Sequence, residues 1–182
     1  MRTQTILFDN ETVFHIPYLF NDAGYPGKTQ EWVSRLREGR YSAMPGGLPG
    51  NDDLGACSSW YVFSALGFFP LCPGRPEYAL GTPLFRSAVL HLPGGRTFTI
   101  RAEGAGPLRP YIRSFSVNGQ RYSRLTLLHE LIVRGGEAVA QMSESPGDGR
   151  RINGVNALHE KGQEPVFSIS AVAVIKEKGL TR

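Results

Sequence analysis

Two adjacent carboxylates, Asp52 and Asp53, follow a run rich in glycine and proline and precede an apolar segment. The apolar segment predicts a helix that starts near Asp53, where the first backbone N–H groups have no partner within the helix. Those groups and the helix dipole favour ionised carboxylates, which suit a general base or a ligand for a hard cation. The residues alone leave a simpler interpretation open, in which Asn51 or Asp52 caps the helix and Asp53 is solvated in its first turn.

A second polar group lies near the start of the chain. Asn10 is typical of an N-cap, Glu11 would lie in the first turn that follows, and His15 comes four residues later on the same helical face. This pair could form the polar wall of a site, with Glu11 near a cation and His15 bonded to a hydroxyl. A first-turn acid followed by a half-buried histidine is the structural alternative. The sequence contains no zinc-type pairing of histidines or cysteines.

The spacing of apolar residues predicts three helices in the first part of the chain. They cover about 10–24, with an interruption at Pro17, then 29–38, and then 53–66, before Gly67. The second helix is expected to turn Trp32, Val33 and Leu36 inward and to end at Gly39 as its C-terminal cap. The third is apolar on nearly all sides, which predicts that it is buried.

Strand-like segments bounded by turn residues follow from about Tyr78. Three hairpins are predicted: 88–92 with 97–101, 111–117 ending in Asn118-Gly119, and 131–133 with 138–141 around two glycines. A last strand is predicted at 166–175. The sequence therefore predicts an α+β fold, with a helical part at 1–72 and an antiparallel, β-rich region at 73–182.

The composition is typical of a globular protein, with 41% hydrophobic and 20% charged residues. The net charge of +4 comes from scattered basic residues, so no nucleic-acid surface is expected. No apolar stretch approaches membrane-spanning length, so no membrane insertion is expected, and the first residues lack the pattern of a signal peptide. Cys57 and Cys72 could form a single disulfide, but two buried free thiols are expected, and the compartment stays undetermined.

Several stretches, taken together, resemble the C-terminal part of the family 92 glycoside hydrolases, the calcium-dependent α-mannosidases. The similarity covers about 10–146. It is carried by NE at 10–11, FHIPYLFN at 14–21, AG at 23–24, KTQ at 28–30, GNDDLGACSSWYVFSALGFFP at 50–70, PG at 73–74, PEY at 76–78 and GTPLF at 81–85.

The resemblance implies part of an (α/α)6 toroid with β-structure packed against it. It further implies inverting hydrolysis of α-mannosides in mannose-containing glycans, with calcium helping to distort the sugar ring. Asp53 matches the position of the family's general base. Asn51 stands where many members have a second aspartate, and Asp52 lies beside it.

The remaining site residues also follow from the resemblance. Glu11 is the candidate contact for calcium or sugar, and His15, Asn21 and Gly50 belong to the same substrate-binding wall. The metal ligands implied are Glu11 and Asp53. The predicted catalytic residues are Asp53, Asp52 and Asn51, separate from these wall and metal assignments.

Family members are several times longer than this chain, and their general acid lies upstream of the matching region. The chain is therefore expected to be an incomplete enzyme whose partner is an upstream N-terminal half. A gene fragment or split product is one form of this hypothesis. The alternative is a non-catalytic carbohydrate-binding or assembly module. Members of the family are typically secreted or periplasmic.

Overall fold

The computed structural model describes residues 8–146 together with the backbone of 172–174. A helical layer comes first along the chain. Two 3-10 turns, Glu11–Val13 and Ile16–Tyr18, lead into the single-turn helix α1, Leu19–Asp22. Two longer helices follow, α2 at Pro26–Arg40 and α3 at Ala56–Leu66.

The strands that follow α3 form two sheets. They are β1 Phe68–Phe69, β2 Glu77–Leu80, β3 Ser87–His91, β4 Thr97–Glu103, β5 Tyr111–Val117, β6 Gln120–Arg121, β7 Thr126–Leu128, β8 Gly136–Ser143 and β9 Val172–Val174, with the short helix α4, His129–Val133, between β7 and β8. The smaller sheet has the order β1-β2-β7, and the larger has the order β6-β5-β8-β4-β3-β9.

Two of the three predicted hairpins are confirmed. Strands β3 and β4 pair antiparallel, with Ala88 opposite Ile100. Strands β5 and β6 pair around Asn118 and Gly119, whose φ angles of 49° and 76° are those of a primed turn.

The third hairpin prediction is wrong, because 131–133 belongs to α4. The strand β8 leaves this helix and pairs in parallel with β4 and antiparallel with β5. The larger sheet is therefore mixed, where the sequence predicted an antiparallel arrangement throughout. The strand β9 lies within the predicted strand at 166–175, and the rest of that prediction lies outside the described residues.

The helices also differ from their predictions. The first is broken into the two 3-10 turns and α1, with Pro17 inside the break. Helix α2 is longer at both ends than predicted, and Trp32 on it is exposed rather than inward. Helix α3 begins only at Ala56, three residues after the predicted start, and it ends at Leu66 with Gly67 as its C-cap, as predicted.

Apolar side chains form two clusters. One contains residues of both sheets, with Phe98 and Leu127 almost fully buried. The other lies in the helical layer and is made of Phe8, Phe14, Tyr18, Val33, Cys57, Trp60 and Ala79. Because Ala79 lies on β2, the second cluster also fixes the helical layer to the smaller sheet.

Buried polar side chains of the helical layer bond to backbone groups elsewhere in the chain. The bonds are Arg37 Nη1 to Ser64 O at 2.8 Å and Thr82 O at 2.9 Å, Asn21 Nδ2 to Leu80 O at 2.7 Å, and Ile112 N to Gln30 Oε1 at 3.1 Å. Removing any of these side chains would leave a buried backbone group unpaired, which costs about 1–3 kcal/mol. The helices and sheets are therefore coupled by polar as well as apolar contacts.

Cys57 is a buried thiol as expected, whereas Cys72 is a free thiol that is exposed. Within the part of the chain that the structure describes, no helix is both long and apolar enough to cross a membrane.

His129 should make the stability of the chain depend on pH. Its Nδ1 lies 2.8 Å from the Tyr78 hydroxyl, and burial lowers the pKa of His129 below its ordinary value of 6.5. The unfolded chain then binds more protons than the folded chain between the two pKa values, so stability rises with pH through that window. We expect His129→Gln to flatten the rise in unfolding free energy as the pH approaches 6.5 from below, measured by urea denaturation.

The matched control is His91→Gln, which reports what an exposed histidine on β3 contributes. A pH profile for His129→Gln that is identical to that of the parent chain would contradict this account of His129.

Candidate active site

Trp60 on α3 holds the segment that carries Glu11. Its indole Nε1 donates to the carbonyl oxygen of Phe14 at 3.1 Å, and both residues are buried. The Phe8 ring packs edge-on against the indole at 4.7 Å, and Tyr41 stacks on it at 5.6 Å. These contacts fix the segment from Phe8 to Phe14 against the start of α3.

The turn that precedes α3 has an unusual backbone. Asp53, Leu54 and Gly55 all adopt left-handed conformations, with φ angles of 46°, 58° and 89°. For residues other than glycine this costs about 1–2 kcal/mol each. The two acids are therefore not in the first turn of α3 as predicted, because the chain makes this left-handed turn before the helix begins.

The carboxylate of Asp52 satisfies donors in the first turn of α3, although the N-cap position itself is Gly55, which makes no side-chain cap. Asp52 Oδ1 accepts from the backbone N–H of Ser58 at 2.9 Å, and its Oδ2 accepts from the Ser58 hydroxyl at 2.9 Å. Its carbonyl oxygen also accepts from Ala56 N at 2.6 Å. The capping interpretation that the sequence left open therefore describes Asp52, and its support of a catalytic base stays a prediction.

Asp53 has a different environment from its neighbour. Its side chain is exposed, and its Oδ2 accepts a hydrogen bond from Asn10 Nδ2 at 3.3 Å. Asn10 directly precedes Glu11, which is also exposed. The structure thus brings the Asp53 loop against the turn that carries Glu11, although the two are 42 positions apart in the sequence.

Four carboxylates lie around one end of α3. Burial raises the pKa of the Cys57 thiol, and the negative charges of Asp52, Asp53, Glu11 and Asp9 raise it further. Such a negative potential attracts cations.

The oxygen chemistry of this region suits calcium, which binds carboxylates and carbonyls but takes six to eight oxygen ligands. Within residues 8–146, no three or more acidic, histidine or cysteine side chains stand close enough to hold a metal ion. The described residues therefore do not form a calcium cage by themselves.

The other predicted site residues are distributed more widely. His15 is exposed, but the break in the helix means that it does not share a continuous helical face with Glu11 as predicted. Asn51 is exposed, and its carbonyl oxygen accepts from the Cys57 thiol at 3.2 Å. Asn21 is buried and directs its amide nitrogen to the backbone of β2, so its place in the substrate-binding wall stays a prediction.

Gly50 allows the loop to approach the N-terminal segment closely. A β-carbon built on Gly50 would lie 2.3 Å from the carbonyl oxygen of Asp9 and 3.0 Å from the Asp9 β-carbon. Only glycine permits that approach without a backbone shift. The geometry gives Gly50 a role in loop packing, and its contact with substrate stays a prediction.

Three residues that build this region were not predicted as part of it: Asn10 as the donor to Asp53, Ser58 as the partner of Asp52, and Trp60 as the anchor of the N-terminal segment. Of these three roles, only that of Asn10 had a signal in the sequence. That signal, its preference for N-cap positions, predicted a local cap and not a contact with Asp53. A cavity of about 860 Å³ lies elsewhere, lined by the loop after β4 together with Arg86, Arg101 and Glu144.

The chain belongs to a glycoside hydrolase family. The family described as the glycosyl hydrolase family 92 catalytic domain matches residues 1–144, which is most of the chain.

Individual relatives agree with this membership. A secreted glycosidase of Arthroderma benhamiae is 32% identical over 130 residues, which cover 70% of this chain and 17% of the relative. A family GH92 inverting mannosidase of Bacteroides thetaiotaomicron is 42% identical with a TM-score of 0.73. A family GH92 α-mannosidase of the same organism, solved in complex with mannoimidazole, is 31% identical with a TM-score of 0.74.

Each of the two solved structures covers 78% of this chain, and the chain covers 19% of each of them. The chain therefore spans less than a fifth of the length of the relatives that it matches.

Gly50→Ala should destabilise the folded chain, because the new methyl group would overlap the backbone of Asp9. Overpacking of this kind costs about 1–3 kcal/mol. The measurement is the free energy of unfolding from urea denaturation. Gly39→Ala near the end of α2 is the matched control, since nothing lies within 4 Å of its β-carbon position. Equal stabilities for Gly50→Ala and the parent chain would show that the loop does not pack on Asp9 as described.

Proposed function

We propose that this chain supplies the general-base side of the active site of an inverting α-mannosidase that acts on mannose-containing glycans. The observation that carries the proposal is the exposed Asp53 carboxylate, held beside the Glu11 turn by Asn10. The proposal is supported by the family to which the chain belongs and by the mannosidases among its solved relatives.

In the proposed reaction Asp53 accepts a proton from a water molecule that attacks the anomeric carbon. A second carboxylic acid on the other side of the sugar protonates the leaving oxygen, and the two carboxyl groups of an inverting enzyme stand about 6.5–9.5 Å apart. The resemblance implies that this acid lies upstream of the matching region. The described chain would therefore hold the water-activating half of the reaction.

Asp52 and Asn51 support the proposed base in different ways. Asp52 ties the loop to α3 through Ser58, so its carboxylate oxygens are already committed to hydrogen bonds. Asn51 exposes its side chain just before the two acids. We assign Asp52 to holding the loop and Asn51 to helping orient the water.

The substrate-binding wall of the proposal consists of Glu11, His15 and Gly50, with Asn21 behind it. Glu11 and His15 are both exposed, so their side chains are accessible to a sugar. The helical layer would form part of the wall of an (α/α)6 toroid, with the remaining helices contributed by the longer enzyme.

We further propose that calcium is shared between this chain and the rest of the family fold. Glu11 and Asp53 would each contribute a carboxylate, and the remaining oxygen ligands would come from outside the described residues or from water. The negative potential around the end of α3 supports cation binding there. When bound, the ion would supply polarisation and distortion of the sugar ring.

Asp53→Asn tests the base assignment. The amide keeps the size of the side chain but cannot accept a proton from water, so kcat should fall by about 10²–10⁴-fold. The measurement is mannose release from an α-mannoside by this chain complemented with the rest of a family catalytic domain. Glu38→Gln, an exposed carboxylate on α2, is the matched control and should keep the parent activity.

An assembly in which Asp53→Asn keeps full activity would exclude Asp53 as the base. Mannoside binding without any hydrolysis by the parent assembly would instead favour a carbohydrate-binding module.

Calcium dependence gives a second test of the same assembly. Removal of calcium by EGTA should abolish mannose release, and added calcium should restore it. Glu11→Gln should raise the calcium concentration for half-maximal activity by at least about tenfold, because it removes one charged ligand. Full activity of the parent assembly in EGTA would show that calcium is not required.

A further inference from the structure

We propose that Asn10 is a positioning residue for Asp53, which it holds in the orientation that proton transfer from water requires. The proposal rests on the proposed role of Asp53 as the general base. It assigns to Asn10 a function beyond the helix capping that its sequence position predicts.

The two ends of the Asn10 amide serve different parts of the chain. Its Oδ1 accepts from the backbone N–H of Thr12 at 3.1 Å and so caps the turn that carries Glu11. Its Nδ2 donates to Asp53 Oδ2 at 3.3 Å, slightly longer than is typical of such bonds. Because an amide group is planar, the cap that fixes Oδ1 also fixes the direction in which Nδ2 points.

Asp53 has few other restraints on its side chain. It is exposed, and within residues 8–146 Asn10 is the hydrogen-bond donor found for its carboxylate. One bond to Oδ2 restricts rotation of the carboxylate and leaves Oδ1 able to accept a proton from water. Catalytic hydrogen bonds are often long without substrate and shorten in the reacting complex.

The donor itself is held rigidly. The segment that follows Asn10 is anchored where Phe14 accepts from Trp60, and the preceding Phe8 packs on the same indole. Asn10 therefore lies between two fixed points of the chain. Because both points contact Trp60 on α3, the position of α3 determines where the Asn10 amide meets the Asp53 carboxylate.

Asn10→Ser separates the two roles of the amide, which are to cap the turn through Thr12 and to bond Asp53. Serine caps helices about as well as asparagine, but its single short hydroxyl cannot bond Thr12 and reach Asp53 together. In the complemented enzyme we expect Asn10→Ser to keep the parent unfolding midpoint and KM while kcat falls by about 10- to 100-fold. Asn10→Ala should lower both the midpoint and kcat, since it loses both bonds.

Asn10→Asp provides a third variant with a distinct expectation. It keeps the capping oxygen but sets a second carboxylate against Asp53, so kcat should fall further than in Asn10→Ser. Parent-like kcat in Asn10→Ser, with loss only in Asn10→Ala, would show that capping is the whole role of Asn10 and would overturn the proposal.

A measurement on the chain alone tests the contact without activity. In ¹⁵N spectra, Asp53→Ala should shift the side-chain amide resonances of Asn10, whereas the control Glu38→Gln should leave them in place. Unchanged Asn10 resonances in Asp53→Ala would overturn the proposal whatever the kinetics show.

The same kinetic measurements distinguish failure of the positioning role of Asn10 from failure of the base role of Asp53. Loss of activity in Asp53→Asn with full activity in Asn10→Ser would leave the base assignment intact and remove the positioning role. Full activity in Asp53→Asn would remove both.

Discussion

The hydrogen bond from the Trp60 indole to the Phe14 carbonyl joins two parts of the chain that are 46 residues apart. Both groups are buried, so breaking the bond would leave an unpaired polar group at a cost of about 1–3 kcal/mol. The aromatic rings around the indole add apolar contacts that resist sliding of the two segments. Together with the close approach of Gly50 to Asp9, this contact holds the Glu11 turn against the Asp53 loop, and the candidate site depends on it.

The left-handed turn before α3 is the second constraint on the site. Its two residues other than glycine, Asp53 and Leu54, cost about 1–2 kcal/mol each. Hydrogen bonds to a charged group contribute about 1.5–3 kcal/mol each, and Asp52 accepts two of them from Ser58. These terms are of similar size, so the capping bonds can offset the strain. The turn therefore keeps a conformation that directs Asp53 away from the helix that Asp52 caps.

Local sequence signals predicted those parts of the fold that depend on neighbouring residues. The turn at Asn118-Gly119 follows from local turn chemistry, whereas the parallel pairing of β4 with β8 depends on strands far apart in the sequence and was missed. The sequence left open that Asp52 caps the helix while Asp53 is solvated, but it could not decide between this arrangement and two acids in one first turn, because the answer depends on a helix that starts three residues later than predicted. The approach of Glu11 to Asp53 came from the resemblance, since no local pattern links positions so distant.

The carboxylates of the candidate site would be costly to cover in the complete form of the proposed enzyme. Four carboxylates around one end of α3 repel one another, and water screens that repulsion while Asp9, Glu11 and Asp53 stay exposed. Covering them with the rest of a catalytic domain would remove the screening and raise the cost of the negative charge. A cation held among the same carboxylates would compensate for that cost. In the proposed enzyme, closure of the site and cation binding would therefore be coupled.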